Sequence, residues 1–344
     1  MKRIQDPRQA GFSFIEFSIV AALLILIIFA CSTLAISGTD AQEYARRLNR
    51  ATEVTQEISD QVRTEMVSCV RLFGNDAEGL ANLDLVDLTN APVPIASTRL
   101  QTISPTESIR ADTSGAEITG NSLFFARLAW SDAFLCTSGA THMIDVYRWY
   151  YYYLCDEDTG PQPGSPLGLN LVRVESEPIV DGVAIDRIAD AAEKAEVLLH
   201  LYDATPDTSG VTHPPCTMVW LRGQLPSVAG TLRMIRSQNG ALSASPINGR
   251  PSPWSILRSQ ARVPGLLSYR HHSVATNFAP RAFGVSRYSL ETAANGGFPH
   301  GFEIQTVGPS NGRQTMFHLV VSSTNRRGLF AWSNEQVVVA TRDL

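Results

Sequence analysis

The sequence predicts an α+β protein in which a long N-terminal membrane-spanning α-helix packs against a mainly antiparallel β head. Three observations carry this expectation. Phe17 to Ile36 is an uncharged apolar run; at about 1.5 Å per residue it is just long enough to cross a hydrocarbon core of roughly 30 Å. Between Phe12 and Gly74 the only glycine is Gly38, and proline is absent. Beyond residue 73, short β-branched and aromatic runs alternate with Gly, Pro, Asn and Asp, the pattern of strands and turns.

Residues 1–11 form a basic leader, with Lys2, Arg3 and Arg8 against Asp6. The positive-inside rule keeps such a leader cytoplasmic and sends the following segment, 12–37, across the membrane. Residues 38–72 are expected to continue the helix on the far side. Tyr44, Leu48, Ala51, Thr55, Ile58, Val62 and Met66 recur at threes and fours, and Glu43, Arg46, Arg47, Arg50, Glu53, Glu57 and Arg63 fall mostly on other faces. One helix is therefore expected from Phe12 to about Val70, weakest at Ser37-Gly38-Thr39.

The head is expected to fill 73–344. Its strands are expected at Leu123–Trp130, His142–Cys155, Leu169–Glu175, Val197–Tyr202, Met218–Leu221, Phe302–Val307, Thr315–Ser322 and Gln336–Ala340. Asp186–Ala195 reads as a helical turn or two. The Ser, Gly, Asn and Pro-rich tract 239–253 reads as a loop or as a boundary between two lobes. Along the aromatic stretch, Tyr147, Trp149, Tyr151 and Tyr153 are expected on one strand face, and Arg148, Tyr150 and Tyr152 on the other. Cross-strand packing is the commoner use of such a set; binding a glycan or peptide is the alternative.

The formal net charge is −5, and the leader contributes +2 of it, so the remainder is mildly acidic. That balance supplies no warrant for nucleic-acid binding, although net charge leaves a local basic patch open. Cys31 lies inside the apolar run, which leaves Cys69, Cys136, Cys155 and Cys216 in the portion expected in an oxidising compartment. Four cysteines allow three pairings. Cys136 with Cys155 is favoured, across a short polar connection, which leaves Cys69 with Cys216; buried free thiols are the competing reading.

No cofactor and no metal site is expected. The cysteines lack zinc-ligand spacing, His271-His272 has no spaced third ligand, and Asp156-Glu157-Asp158 reads as a solvated turn rather than a Ca²⁺ loop. Gly308-Pro309-Ser310-Asn311-Gly312 matches G-x-S-x-G in form, but it sits between two expected strands and has the composition of a hairpin turn. No catalytic residue is assigned, and the chain is expected to be non-enzymatic.

Gly11-Phe12-Ser13-Phe14-Ile15-Glu16, ahead of the apolar run, resembles the prepilin cleavage and N-methylation motif of type IV pilins and type II secretion pseudopilins. The resemblance implies that a prepilin peptidase cuts between Gly11 and Phe12 and methylates the new amine. It makes Glu16 the fifth mature residue, which in that family pairs with the N-terminal amine of a neighbouring subunit. Burying a carboxylate is tolerable when an ammonium lies close. The stretch from Val146 to Cys155, with Leu171-Val172-Arg173 and Asp181-Gly182-Val183, is loosely similar to the heads of PilW-like minor pilins and J-class minor pseudopilins.

The function implied is that of a pilin-like minor pilin or pseudopilin at the tip or priming complex of a type IV pilus or type II secretion filament. Its partners would be the peptidase, other pilin or pseudopilin subunits, the inner-membrane assembly platform and the lipid bilayer. It would sit in a bacterial inner membrane as a single-pass protein with its head in the periplasm, and reach a surface or periplasmic filament on assembly. The alternatives for the segment are a plain signal anchor, a secretory signal cut near Ala35-Ile36-Ser37, and a lipoprotein signal around Ile28 to Cys31. For the whole chain they are a membrane-anchored periplasmic binding or adhesion protein, or a periplasmic hydrolase.

Overall fold

A computed structural model of the chain describes residues 14–110, 117–156, 169–203, 206–212, 215–219, 221, 233–236, 242–244, 254–257, 271–274, 301–324, 330–341 and 343. The chain divides into two units, residues 1–50 and 51–344.

Helix α1 runs unbroken from Phe14 to Val67, through Ser37-Gly38-Thr39. The Thr39 hydroxyl donates to the Ala35 and Ile36 carbonyls at 3.1 and 2.8 Å, so this polar step is satisfied within the helix. The helix ends three residues earlier than the periodicity suggests, because Cys69–Phe73 forms strand β1 and pairs with the strand that starts at Leu123.

Within residues 51–344, the second part of α1 lies on one face of a sheet. Val54, Ile58, Val62 and Met66 are buried four residues apart, so they stack on one side of the helix. They share a core with Phe125, Tyr150, Tyr152, Leu171, Phe317 and Leu319. Tyr44, in the other unit, is exposed.

Among the described residues, fourteen strands form one continuous sheet. After β1 and a short helix α2 (Ala77–Leu83) come β2 (Ile103–Ser104), β3 (Leu123–Leu135), β4 (Thr141–Asp156), β5 (Leu169–Glu175) and β6 (Ile179–Asp181). Helices α3 (Gly182–Asp186) and α4 (Ala191–Asp203) follow. The remaining strands are β7 (Thr217–Val219), β8 (Arg233–Arg236), β9 (Leu242–Ala244), β10 (Trp254–Ile256), β11 (His271–Val274), β12 (Phe302–Val307), β13 (Arg313–Thr324) and β14 (Phe330–Thr341). The main path runs β2-β12-β13-β11-β5-β4-β6-β7-β8-β9; β14 flanks β13, β3 flanks β4, β1 flanks β3, and β10 also pairs with β5. Pairing is antiparallel except at β12–β2 and β6–β7, so the described residues are α+β with a mainly antiparallel sheet.

Strand β4 organises the head. Tyr150, Tyr152 and Leu154 face the α1 core, while Tyr147, Trp149, Tyr151 and Tyr153 face a second core with Phe73, Phe124, Val172 and Val174. The two-residue alternation expected from the sequence therefore holds, and both faces are covered. Phe125 stacks on Tyr150 (5.5 Å) and Tyr152 (6.2 Å), and Phe124 packs on Phe73 (4.6 Å) and Tyr151 (6.0 Å). These aromatics are core, which corresponds to the packing reading.

Three expectations need correction. Val197–Tyr202 is not a strand but the second half of α4. Asp190 caps that helix, its carboxylate accepting from the Ala192 and Glu193 amides at 2.8 and 3.0 Å. Val197, Leu198 and Leu201 then fall on one face and enter a third core with Phe134, Ile144 and Ile185. The strand expected at Met218–Leu221 is Thr217–Val219.

The favoured disulfide is the third. None of the five cysteines is joined in a disulfide. Cys136 follows Leu135, which pairs with Thr141 at the start of β4, whereas Cys155 lies fourteen residues further along that strand. At about 3.3 Å per residue this is roughly 45 Å of strand, far beyond the reach of a disulfide. Cys69 pairs with Arg127 and so with Arg148, while Cys216 precedes Thr217, which reaches Tyr147 through Ile179. Four strand spacings, about 19 Å, separate that second pair.

The tract 239–253 contributes β9, which pairs with β8; the rest of it, and with it the lobe-boundary reading, lies outside the described residues. So do 1–13 and 157–168, and thus the leader, Gly11, Phe12 and most of the acidic turn at Asp156.

Candidate functional site

In the first unit, Glu16 lies in the first turn of α1, where a carboxylate complements the positive end of the helix dipole. From Phe17 to Ile36 the apolar side chains around the helix are almost all exposed, as with Leu23, Leu26 and Phe29. Two hydroxyls in the run bond back to the helix: Ser18 donates to the Phe14 carbonyl at 2.8 Å and Thr33 to that of Phe29 at 2.9 Å. Such internal bonds suit a helix embedded in lipid. By length and composition α1 is able to cross a membrane, as an anchor or as a signal sequence.

In the second unit, the end of α1 is tied to the sheet by a buried polar cluster. Arg173 on β5 donates from Nε to Glu65 Oε1 at 2.9 Å, and its Nη2 lies 2.8 Å from the same oxygen. The Tyr152 hydroxyl donates to Glu65 Oε2, and Glu175 bridges Arg173 and Arg148, each at 2.9 Å. Burial opposes the Arg173 charge, but the Glu65 contacts outweigh it and hold its pKa up. Burial, with the negative Glu65 beside it, pushes the Tyr152 phenol well up, so it stays a donor.

A second cluster docks the β3–β4 turn onto α4. Ser138 Oγ and His142 Nε2 both reach Glu193, at 2.6 and 2.8 Å, and the Thr137 amide and hydroxyl donate to Glu196. Serine and histidine share one carboxylate here instead of contacting each other, so the three do not form a nucleophile-activating relay.

The third cluster lines a cleft between β1, α2 and the start of β13, built from Arg71, Glu78, Arg313 and Asp343. Asp343 bridges the two arginines at 3.3 and 2.7 Å, and its backbone amide donates to the Ser310 carbonyl. Sequence reading missed this cluster, because its members lie 272 residues apart at the extreme.

Gly308-Pro309-Ser310-Asn311-Gly312 is the β12–β13 hairpin turn, with Gly308 at φ +94° and Ser310–Gly312 in a single 3₁₀ turn. No helix follows the serine, so it is not a nucleophile elbow. His272 lies on β11, opposite Ser323. Among the described residues no three His, Cys, Asp or Glu side chains converge as a metal site. No protein-family model, no curated protein and no solved structure matches the chain.

Proposed function

We propose that the chain is a pilin-like, non-enzymatic minor pilin or pseudopilin, processed between Gly11 and Phe12 and assembled through its N-terminal helix at the tip or priming complex of a type IV pilus or type II secretion filament. One observation carries the reading. A carboxylate, Glu16, stands in the first turn of an uninterrupted 54-residue helix whose apolar part is exposed and whose last turns are built into the core of a β head.

The helix resides in the bilayer of the inner membrane until an assembly platform moves it into a bundle of like helices. Exchanging lipid for neighbouring helices changes little hydrophobic free energy. Register then comes from a polar contact, Glu16 with the methylated amine of Phe12 on the next subunit. A head of nearly three hundred residues is bulky for a repeating subunit, which favours the tip.

Shearing and pelleting surface filaments, or overproduced secretion filaments, from the native host tests the reading. The chain should co-pellet in substoichiometric amount. Gold labelling along the whole filament would rule out the tip position, and complete retention in the inner membrane of filament-producing cells would rule out assembly.

A further inference from the structure

We propose that the cleft between β1, α2 and β13 is a binding site for a single carboxylate group. This site is independent of the filament reading. The cleft has a volume of about 220 Å³, and its charged lining is Arg71, Arg313, Asp76, Glu78 and Asp343.

The two guanidinium groups are only partly satisfied. Arg71 donates Nη1 to Asp343 at 3.3 Å and Nη2 to Glu78 at 2.8 Å, and its Nε is buried without a partner. Arg313 brings Nη2 within 2.7 Å of Asp343 Oδ2, close enough for an ion pair but not aligned as a hydrogen bond. Its Nε and Nη1 are both buried without a partner. Three buried guanidinium donors without acceptors are costly, and an oxygen acceptor in the cleft removes that cost once either side chain turns to meet it.

Charge selects the acceptor. The two arginines already face Glu78 and the buried Asp343, and Asp76 lines the same cleft. These three carboxylates outnumber the two guanidiniums, so a dianionic phosphate is repelled more strongly than a group with one negative charge. One planar carboxylate adds a single negative charge and matches the guanidinium fork, which a tetrahedral anion does less well. Leu72, Ile103 and Pro105 supply an apolar wall for the stem that carries it.

The test is arginine side-chain NMR on the full-length chain, ¹⁵N-labelled and solubilised in micelles. Sodium acetate is titrated against sodium chloride at fixed ionic strength. The Nε–H signals of Arg71 and Arg313, assigned with R71K and R313K, should move saturably with a midpoint in roughly the millimolar range, while that of exposed Arg63 stays still. Thermal unfolding should rise with acetate in the wild type, and R313K should lose that rise even if it folds less stably. N-acetylglutamate amide replaces acetate in a parallel series: at least tenfold tighter binding assigns the site to an acidic side chain of another chain, and equal binding to a free small acid. Shifts that are linear in every salt and shared by Arg63 would overturn the site. Saturation by phosphate at lower concentration than acetate would overturn the carboxylate class.

Discussion

Arg173 Nη2 lies 2.8 Å from Glu65 Oε1, joining the last turns of α1 to the middle of β5. Both side chains are largely buried, and Tyr152 takes the second oxygen of the same carboxylate. The contact makes the end of the helix part of the head rather than a tether to it. Removing one partner of a buried pair costs about 3–5 kcal/mol because the other charge is left alone. Arg173 keeps Glu175, so Glu65→Ala should fall at or below the lower end, about 3 kcal/mol. Urea unfolding of the solubilised chain measures it, and a loss under about 0.5 kcal/mol would mean that the cluster does not hold the helix.

Packing of the aromatic strand yields a paired comparison. Phe125→Ala removes a fully buried ring stacked between Tyr150 and Tyr152 and should cost about 3–5 kcal/mol. Met143→Ala, on the exposed face of the same hairpin, should stay within about 0.5 kcal/mol. If the two variants unfold together, β4 does not pack as described.

The turn–α4 contact should be sensitive to acid. Hydrogen bonds from Ser138 and His142 hold Glu193 below its usual pKa, and those from the Thr137 amide and hydroxyl do the same for Glu196. A carboxylate with a depressed folded-state pKa contributes stability that is complete above its unfolded value, about 4.3, and is lost as pH falls through the lower folded value. The wild type should therefore lose stability below about pH 4 more steeply than the double variant E193Q/E196Q. Parallel pH profiles would remove the contact from the account.

Much of this architecture was legible in the chain, and the failures have physical causes. The alternation of Tyr147 to Tyr153 survives because a strand covered on both faces keeps its period of two. The helix runs on through Gly38, where the Thr39 hydroxyl bonds back to the Ala35 and Ile36 carbonyls rather than breaking the turn. Val197 to Tyr202 misleads because a short, mainly apolar run interrupted only by His200 suits a strand and a helix equally; the arbiter is the Asp190 cap, seven residues upstream. The cysteines mislead because proximity in sequence, 136 to 155, becomes distance once both lie along one hairpin. The Arg71–Asp343–Arg313 cluster leaves no local trace, since its members meet only through sheet topology.

Thiol chemistry follows from the corrected cysteines. Burial pushes the Cys216 thiol up to about 12 and raises that of Cys69 further, so neither forms thiolate readily at neutral pH. Alkylation of the native chain should leave both unmodified for hours, and reductant should not move the unfolding midpoint. A mass two hydrogens lower per pair before reduction would show disulfides that this fold does not make.

Prepilin-type processing ahead of α1 is decided by the mass of the mature N-terminal peptide from the native host. The mature chain should begin at N-methylated Phe12, with Glu16 as its fifth residue. An uncut Met1, a lipidated Cys31 or a start near Ser37 would contradict it.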